Sequence, residues 1–149
     1  PPWRPQSHSG GGPQSASRAD EWRKDVLANN QLTVSDLLQK GRNERPGWPD
    51  AEYDGWTAAK QQVDPRATDY ARVSSTPWWE LTPKIECPTL LIIADVDKGA
   101  IVDGATADAV KALNDKIEVA QIVGAGHSIR REQPQKYLDV VQRFLATLY

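Results

Sequence analysis

Residues 87–97, CPTLLIIADVD, run without a polar interruption from Leu90 to Ala94 and close on two aspartates. Successive strand residues point to opposite sides, so a strand that is apolar at every position must be covered on both faces. That requirement predicts a parallel sheet with helices on either side. The residues that follow fit the rest of such a unit: GATADAVKALND reads as a helix, KIEVAQIV as a second strand with partial alternation, and PQKYLDVVQRFLATLY as a closing amphipathic helix. Strand, helix, strand, loop and helix make a right-handed crossover unit, so the fold class is α/β. Two strands do not form a stable open sheet by themselves, and the sequence therefore predicts completion by a segment or chain that it does not contain.

Upstream the texture is different. ADEWRKDVLANN spaces Trp22, Val26 and Leu27 at helical intervals, and TVSDLLQKG offers Thr33 as N-cap, Asp36 three residues on and Gly41 as a stop. PDAEYDGWTAAKQQV reads as a third helix, with Pro49 in its first turn and Tyr53, Trp56, Ala59 and Val63 on one face. Residues 1–19, PPWRPQSHSGGGPQSASRA, are too poor in apolar side chains to offset the entropy of ordering and are expected to be a flexible linker. HSGGG in that stretch is like the glycine-rich oxyanion loops of some esterases, but lacks the flanking strand that would hold its amides in place. The expected organisation is a linker over 1–19, a helical segment over 20–80 and a two-strand α/β segment over 81–149.

The totals limit the partners. A formal charge of -2 in 149 residues, with both signs interspersed, gives no basic face for nucleic acid or anionic lipid. One cysteine, Cys87, and two histidines make neither an internal disulfide nor a structural zinc site, which suits a cytoplasmic setting; no metal or organic cofactor is expected. No apolar run approaches the roughly 18 residues of a membrane helix, and residues 1–19 lack the charged and apolar regions expected of a signal peptide. The chain lacks methionine and begins PPWRP, which is expected of a fragment or processed piece.

Chemistry in parallel sheets gathers beyond the carboxyl ends of the strands. There the first strand delivers Asp95 and Asp97, and the second delivers His127 in VGAGHS, where glycine allows a sharp turn. A carboxylate that orients an imidazole is two thirds of a nucleophilic triad. The thirty positions from Asp97 to His127 accommodate one crossover helix and one return strand, which brings the two loops side by side.

Acid before histidine, with the histidine just ahead of the last helix, is the order found in α/β-hydrolases. On CPTLLIIADVD, GAGHS and the final helix, residues 81–149 resemble the C-terminal part of an α/β-hydrolase parallel sheet. Residues 20–80 are similar in position and character to the helical cap that many members insert. The resemblance implies that His127 is the general base and Asp97 the acid that orients it. In some members the acid follows the preceding strand, which would place it before Pro1; Asp95 is the third choice. The departure from the family lies in the nucleophile. There is no G-x-S-x-G, and none of Ser7, Ser9, Ser15, Ser17, Ser35, Ser74, Ser75 or Ser128 lies between a strand and a helix. The resemblance then implies a nucleophile on a further N-terminal hydrolase segment or second chain.

Trp78 and Trp79 of PWWE, with Trp56, are the candidate substrate-lining residues. The same pattern also serves cap packing, but adjacent tryptophans point to different sides, so one of the pair can line a pocket. Arg130 and Arg131 fit either a substrate carboxylate or a solvated helix start, and Ser128 fits a helix cap. The resemblance implies hydrolysis of a small apolar ester or lactone, with a carbon–carbon bond hydrolase or dehalogenase as the nearest rival on the same scaffold. A non-catalytic, partner-dependent binding module is the competing class, and an unrelated small α/β binding domain is a third.

Overall fold

Helix α1 spans Pro13–Asn30. The expected linker is therefore helical from Pro13 onward in the computed structural model, which describes residues 13–72 and 77–148. Residues 1–12, with HSGGG, and Ser74 and Ser75 lie outside the described residues. What the composition hid is that Ala19, small and a strong helix former, is fully buried. The buried face of α1 runs through Ala19, Val26 and Asn29, whereas Trp22 and Leu27, expected on it, are both exposed.

The described residues form two units, one ending at Arg72 and one starting at Pro77. In the first, helix α2 (Val34–Glu44) starts as expected at Thr33. Thr33 Oγ1 accepts the Asp36 N–H at 3.2 Å, and the Asp36 carboxylate accepts the Thr33 N–H at 3.3 Å, the reciprocal capping box. The helix does not stop at Gly41. Glycine is there for space: a Cβ would lie 3.0 Å from Trp56 Cζ3 and 3.2 Å from Tyr53 Cδ1, both on helix α3 (Ala51–Gln62).

Leu37, Trp48, Tyr53 and Trp56 form the core of this unit. Of the residues expected on one face of α3, Tyr53 and Trp56 are buried; Ala59 is exposed and Thr57 takes the inner place. The Tyr53 hydroxyl donates to the Arg45 carbonyl at 2.6 Å, and the Arg45 guanidinium lies 5.2 Å from the Trp48 ring and 5.6 Å from the Trp56 ring. The last element is a three-ten stretch, Pro65–Arg72. There hydrogen bonds from Arg66 lower the pKa of Asp64 to about 2.

Gly41→Ala tests the packing of α2 on α3. Alanine gains about 1 kcal/mol over glycine in a helix interior. A methyl group forced against two packed rings costs about 1–3 kcal/mol. The crowding should win, and denaturant unfolding is expected to show a net loss on the order of 1 kcal/mol; a higher midpoint would mean that the rings give way freely.

The second unit opens with helix α4 (Trp78–Leu81) and a three-ten turn, Thr82–Lys84. Residues 77–80, expected to close the helical segment, thus belong with the strands. Strand β1 (Thr89–Ala94) and strand β2 (Ile117–Ile122) are parallel and paired from Thr89 with Ile117 through Ala94 with Ile122. Between them runs helix α5 (Gly104–Leu113), capped by Asp103, whose carboxylate accepts the Thr106 N–H at 2.7 Å. Hydrogen bonding from Thr106 holds the Asp103 pKa below its ordinary value. The stability it lends is therefore complete above the ordinary carboxylate pKa and is lost as pH falls through the lowered one.

At the end of α5, Asn114 Nδ2 donates to the carbonyls of Thr82 at 2.9 Å and Ile85 at 2.8 Å, tying the approach to β2 to the approach to β1. Ala94, Ile122 and Ala125 form the core, joined by Ile92, Ile129, Tyr137 and Val140 from the neighbouring elements. Helix α6 (Ile129–Glu132) and helix α7 (Pro134–Ala146) complete the unit. Of the apolar run in β1, Ile93 and Ala94 are buried while Leu90, Leu91 and Ile92 are half-buried. A strand apolar on both faces is thus incompletely covered by the described residues. Among those residues no helix is long and apolar enough to cross a membrane.

Candidate active site

Beyond Ala94 the chain turns away from the sheet through a three-ten turn, Val96–Lys98, and Gly99 closes it at φ 95°. Only glycine takes that left-handed conformation at no steric cost. Asp95 begins the turn, and both its backbone and its side chain are committed. Its N–H donates to the Ala125 carbonyl at 2.9 Å, which extends the pairing of the strands by one rung. Its Oδ2 accepts the Gly124 N–H at 2.8 Å. Asp95 therefore holds the histidine loop, while Asp97, on the same turn, is exposed.

The second loop leaves β2 through Gly124, at φ 93°, and the fully buried Ala125. Gly126 follows where there is no room for a side chain, since a Cβ would lie 2.0 Å from the Lys98 carbonyl oxygen. This backbone contact sets the loop of His127 directly against the turn of Asp97. Further side chains fix the path: Gln133 Nε2 donates to the Gly124 carbonyl at 3.2 Å, and Lys136 Nζ donates to the Val123 carbonyl at 2.9 Å. Glu132 reaches back with both oxygens, Oε2 accepting the N–H of Gly126 and Oε1 that of Ser128 at 3.2 Å.

His127 stands exposed on this loop. Among the described residues, neither its imidazole nor the Asp97 carboxylate has a hydrogen-bond partner. The structure thus brings the two loops together, and no hydrogen bond joins the Asp97 carboxylate to the imidazole. An exposed imidazole on a backbone held by these hydrogen bonds can accept and return a proton for a group placed over the strand ends.

Comparison with known proteins supplies the frame. No protein-family model matches the chain. It is 28% identical over 126 residues to the biotin biosynthesis bifunctional protein BioHC of Cellvibrio japonicus (strain Ueda107), a match covering 83% of this chain and 22% of that protein. Among solved structures it is similar to E-2-(acetamidomethylene)succinate hydrolase, with a TM-score of 0.59, 16% identity and coverage of 95% of this chain and 55% of the other. It is also similar to MenH from S. aureus, with a TM-score of 0.56, 12% identity and coverage of 90% and 53%. Both structures have the α/β-hydrolase fold.

The chain has the α/β-hydrolase fold. Its second unit is the C-terminal part of that fold, and the chain spans about half of each structural relative.

The tryptophans fall into different parts of the chain. Trp56 belongs to the helical unit, 8% exposed in its core, with the Lys60 ammonium 5.5 Å from its ring. Trp78 and Trp79 belong to the strand-bearing unit and meet edge to face, 5.6 Å between centroids, both half-buried. A groove between the sheet and α7, lined by Leu90, Val119, Val140 and Phe144 among others, touches neither His127 nor Asp97. Ser128 stands at the N-cap position of α6, but its hydroxyl caps nothing there. Glu132 was not visible in the sequence as a site residue, because a carboxylate beside two arginines in IRRE has the pattern of a solvated helix start. The signal that could have found it is its place five residues after the histidine, one turn into a helix that folds back over the loop.

Proposed function

We propose that this chain supplies the histidine, the acid and the substrate-covering helical cap of a hydrolase that cleaves a small apolar ester or lactone. The observation that carries this reading is His127, exposed on a loop pinned against the Asp97 turn at the carboxyl ends of paired parallel strands in an α/β-hydrolase fold. The nucleophile is a serine outside these 149 residues. His127 takes the proton of its hydroxyl as the oxygen attacks the substrate carbonyl, and returns it to the leaving alcohol as the carbon–oxygen bond breaks. Water then attacks the acyl group, again giving its proton to His127, which passes it back to the serine. Asp97 orients the ring. Asp95 is less suited to that task, since its carboxylate already holds the Gly124 N–H. Trp78 and Trp79 are the substrate-lining candidates within the unit that carries His127, and Trp56 packs the cap.

A second reading keeps the histidine and changes the bond. One structural relative is named for an acetamido-substituted succinate and not for an ester, which favours keeping hydrolysis of a bond other than an ester, on the same scaffold, in view. The test is fluorophosphonate labelling of the complete protein, followed by peptide mapping and hydrolysis of p-nitrophenyl butyrate. A labelled serine and steady release of p-nitrophenol are expected. Absence of both label and turnover would overturn the serine-hydrolase reading and leave a binding role for the folded chain.

A further inference from the structure

Pinning a catalytic ring takes more than the residue that bears it. The backbone N–H groups on either side of His127 belong to Gly126 and Ser128 once the residue's own is set aside, and both donate to the same carboxylate, Glu132. Gly126 is buried, so its N–H would otherwise lose its partner away from water. Glu132 is half-buried and lies on the four-residue helix α6 that directly follows the loop. One carboxylate thus bridges both sides of the histidine, with an oxygen for each side, while the Lys98 carbonyl blocks retreat from behind.

We propose that Glu132 is the positioning residue of His127: its two oxygens lock the backbone on either side of the histidine and so fix where the imidazole stands over the strand ends. The role rests on His127 being the base, as proposed above. It differs from the part played by Asp95, which holds the loop two residues further back at Gly124. Two carboxylates from separate elements therefore hold three alternate donors of the loop, those of Gly124, Gly126 and Ser128. Only the Glu132 pair straddles the ring.

The experiment uses the complete protein and four variants: Glu132→Ala, Glu132→Gln, His127→Ala and the double variant His127→Ala/Glu132→Ala. Amide hydrogen exchange at Gly126 and Ser128 reads the lock directly, and hydrolysis of p-nitrophenyl butyrate reads its consequence. In E132A both amides are expected to exchange at least about tenfold faster, since a buried donor has lost its acceptor. The value of kcat should fall on the order of 10²-fold, the cost of misplacing a catalytic group by about an ångström, with KM changed far less. E132Q should recover part of the rate, because its one carbonyl oxygen can still accept one of the two N–H groups. On the H127A background, removing Glu132 should cost nothing further, which distinguishes positioning of the histidine from general support of the fold.

Unchanged exchange at both amides in E132A would overturn the lock. Wild-type kcat in E132A, with H127A inactive, would overturn positioning and leave the base assignment standing. An equal loss in the H127A background would assign Glu132 to the fold instead of the ring. Full activity in H127A would overturn both readings together.

Discussion

His127→Ala in the complete protein is expected to lower kcat by about 10⁴- to 10⁶-fold, the range seen when the base of a serine triad is removed. Its melting temperature should stay near that of the parent. The two expectations come from the same geometry. The imidazole is exposed and has no hydrogen-bond partner among the described residues, so folding has little to lose, of order 0.5 kcal/mol as at ordinary surface positions. The ring is nevertheless carried by a backbone held through Asp95, Glu132, Gln133 and Lys136, an expenditure of side chains out of proportion to a plain surface loop. Parallel measurement of p-nitrophenyl butyrate hydrolysis and thermal unfolding checks both. Activity within tenfold of the parent would remove His127 from the mechanism, whereas a large fall in melting temperature would make it a structural residue.

Gly126→Ala should be the most damaging single-methyl change in the site. Its Cβ would stand 2.0 Å from the Lys98 carbonyl oxygen and 2.8 Å from the carbonyl carbon. These are main-chain atoms that cannot swing aside, so one of the two loops must shift by more than an ångström. The constraint is one of space, because positive φ among the described glycines belongs to Gly99 and Gly124. Overpacking of this kind costs about 3 kcal/mol, and a shift of that size at a catalytic group costs on the order of 10²-fold in rate. Gly55→Ala is the control, since nothing lies within 4 Å of a Cβ there. Denaturant unfolding and kcat for the two variants side by side decide the matter; G126A as stable and as active as G55A would mean that the loops are not held together as described.

The strand-bearing unit was legible because its signals are strong and local. An unbroken apolar run, a glycine-rich turn and an amphipathic closing helix each identify their element, and the spacing between Asp97 and His127 fits one crossover. The helical unit was read less well where one residue type serves two purposes. Gly41 has the sequence pattern of a helix stop, yet it lies inside α2 because α3 passes too close for a side chain. Trp22 looks like a core residue by chemistry, but the turn of α1 puts Ala19 and Val26 inward. At the strand ends, the placing of His127 and the two aspartates on adjoining loops was legible. Which aspartate builds the loop was not, because that depends on a hydrogen bond to Gly124 across 29 positions of chain.

The pairing of β1 with β2 is fastened at both ends, by Asn114 on Thr82 and Ile85 where the strands begin and by Asp95 on Gly124 and Ala125 where they finish. A slip of one position would turn every side chain to the opposite face, so these fastenings govern alignment as much as stability. Length changes within the intervening helix and its flanking turns can then be absorbed there, between two fixed points. A change of length in the crossover is thus expected to leave the histidine at its height above the sheet.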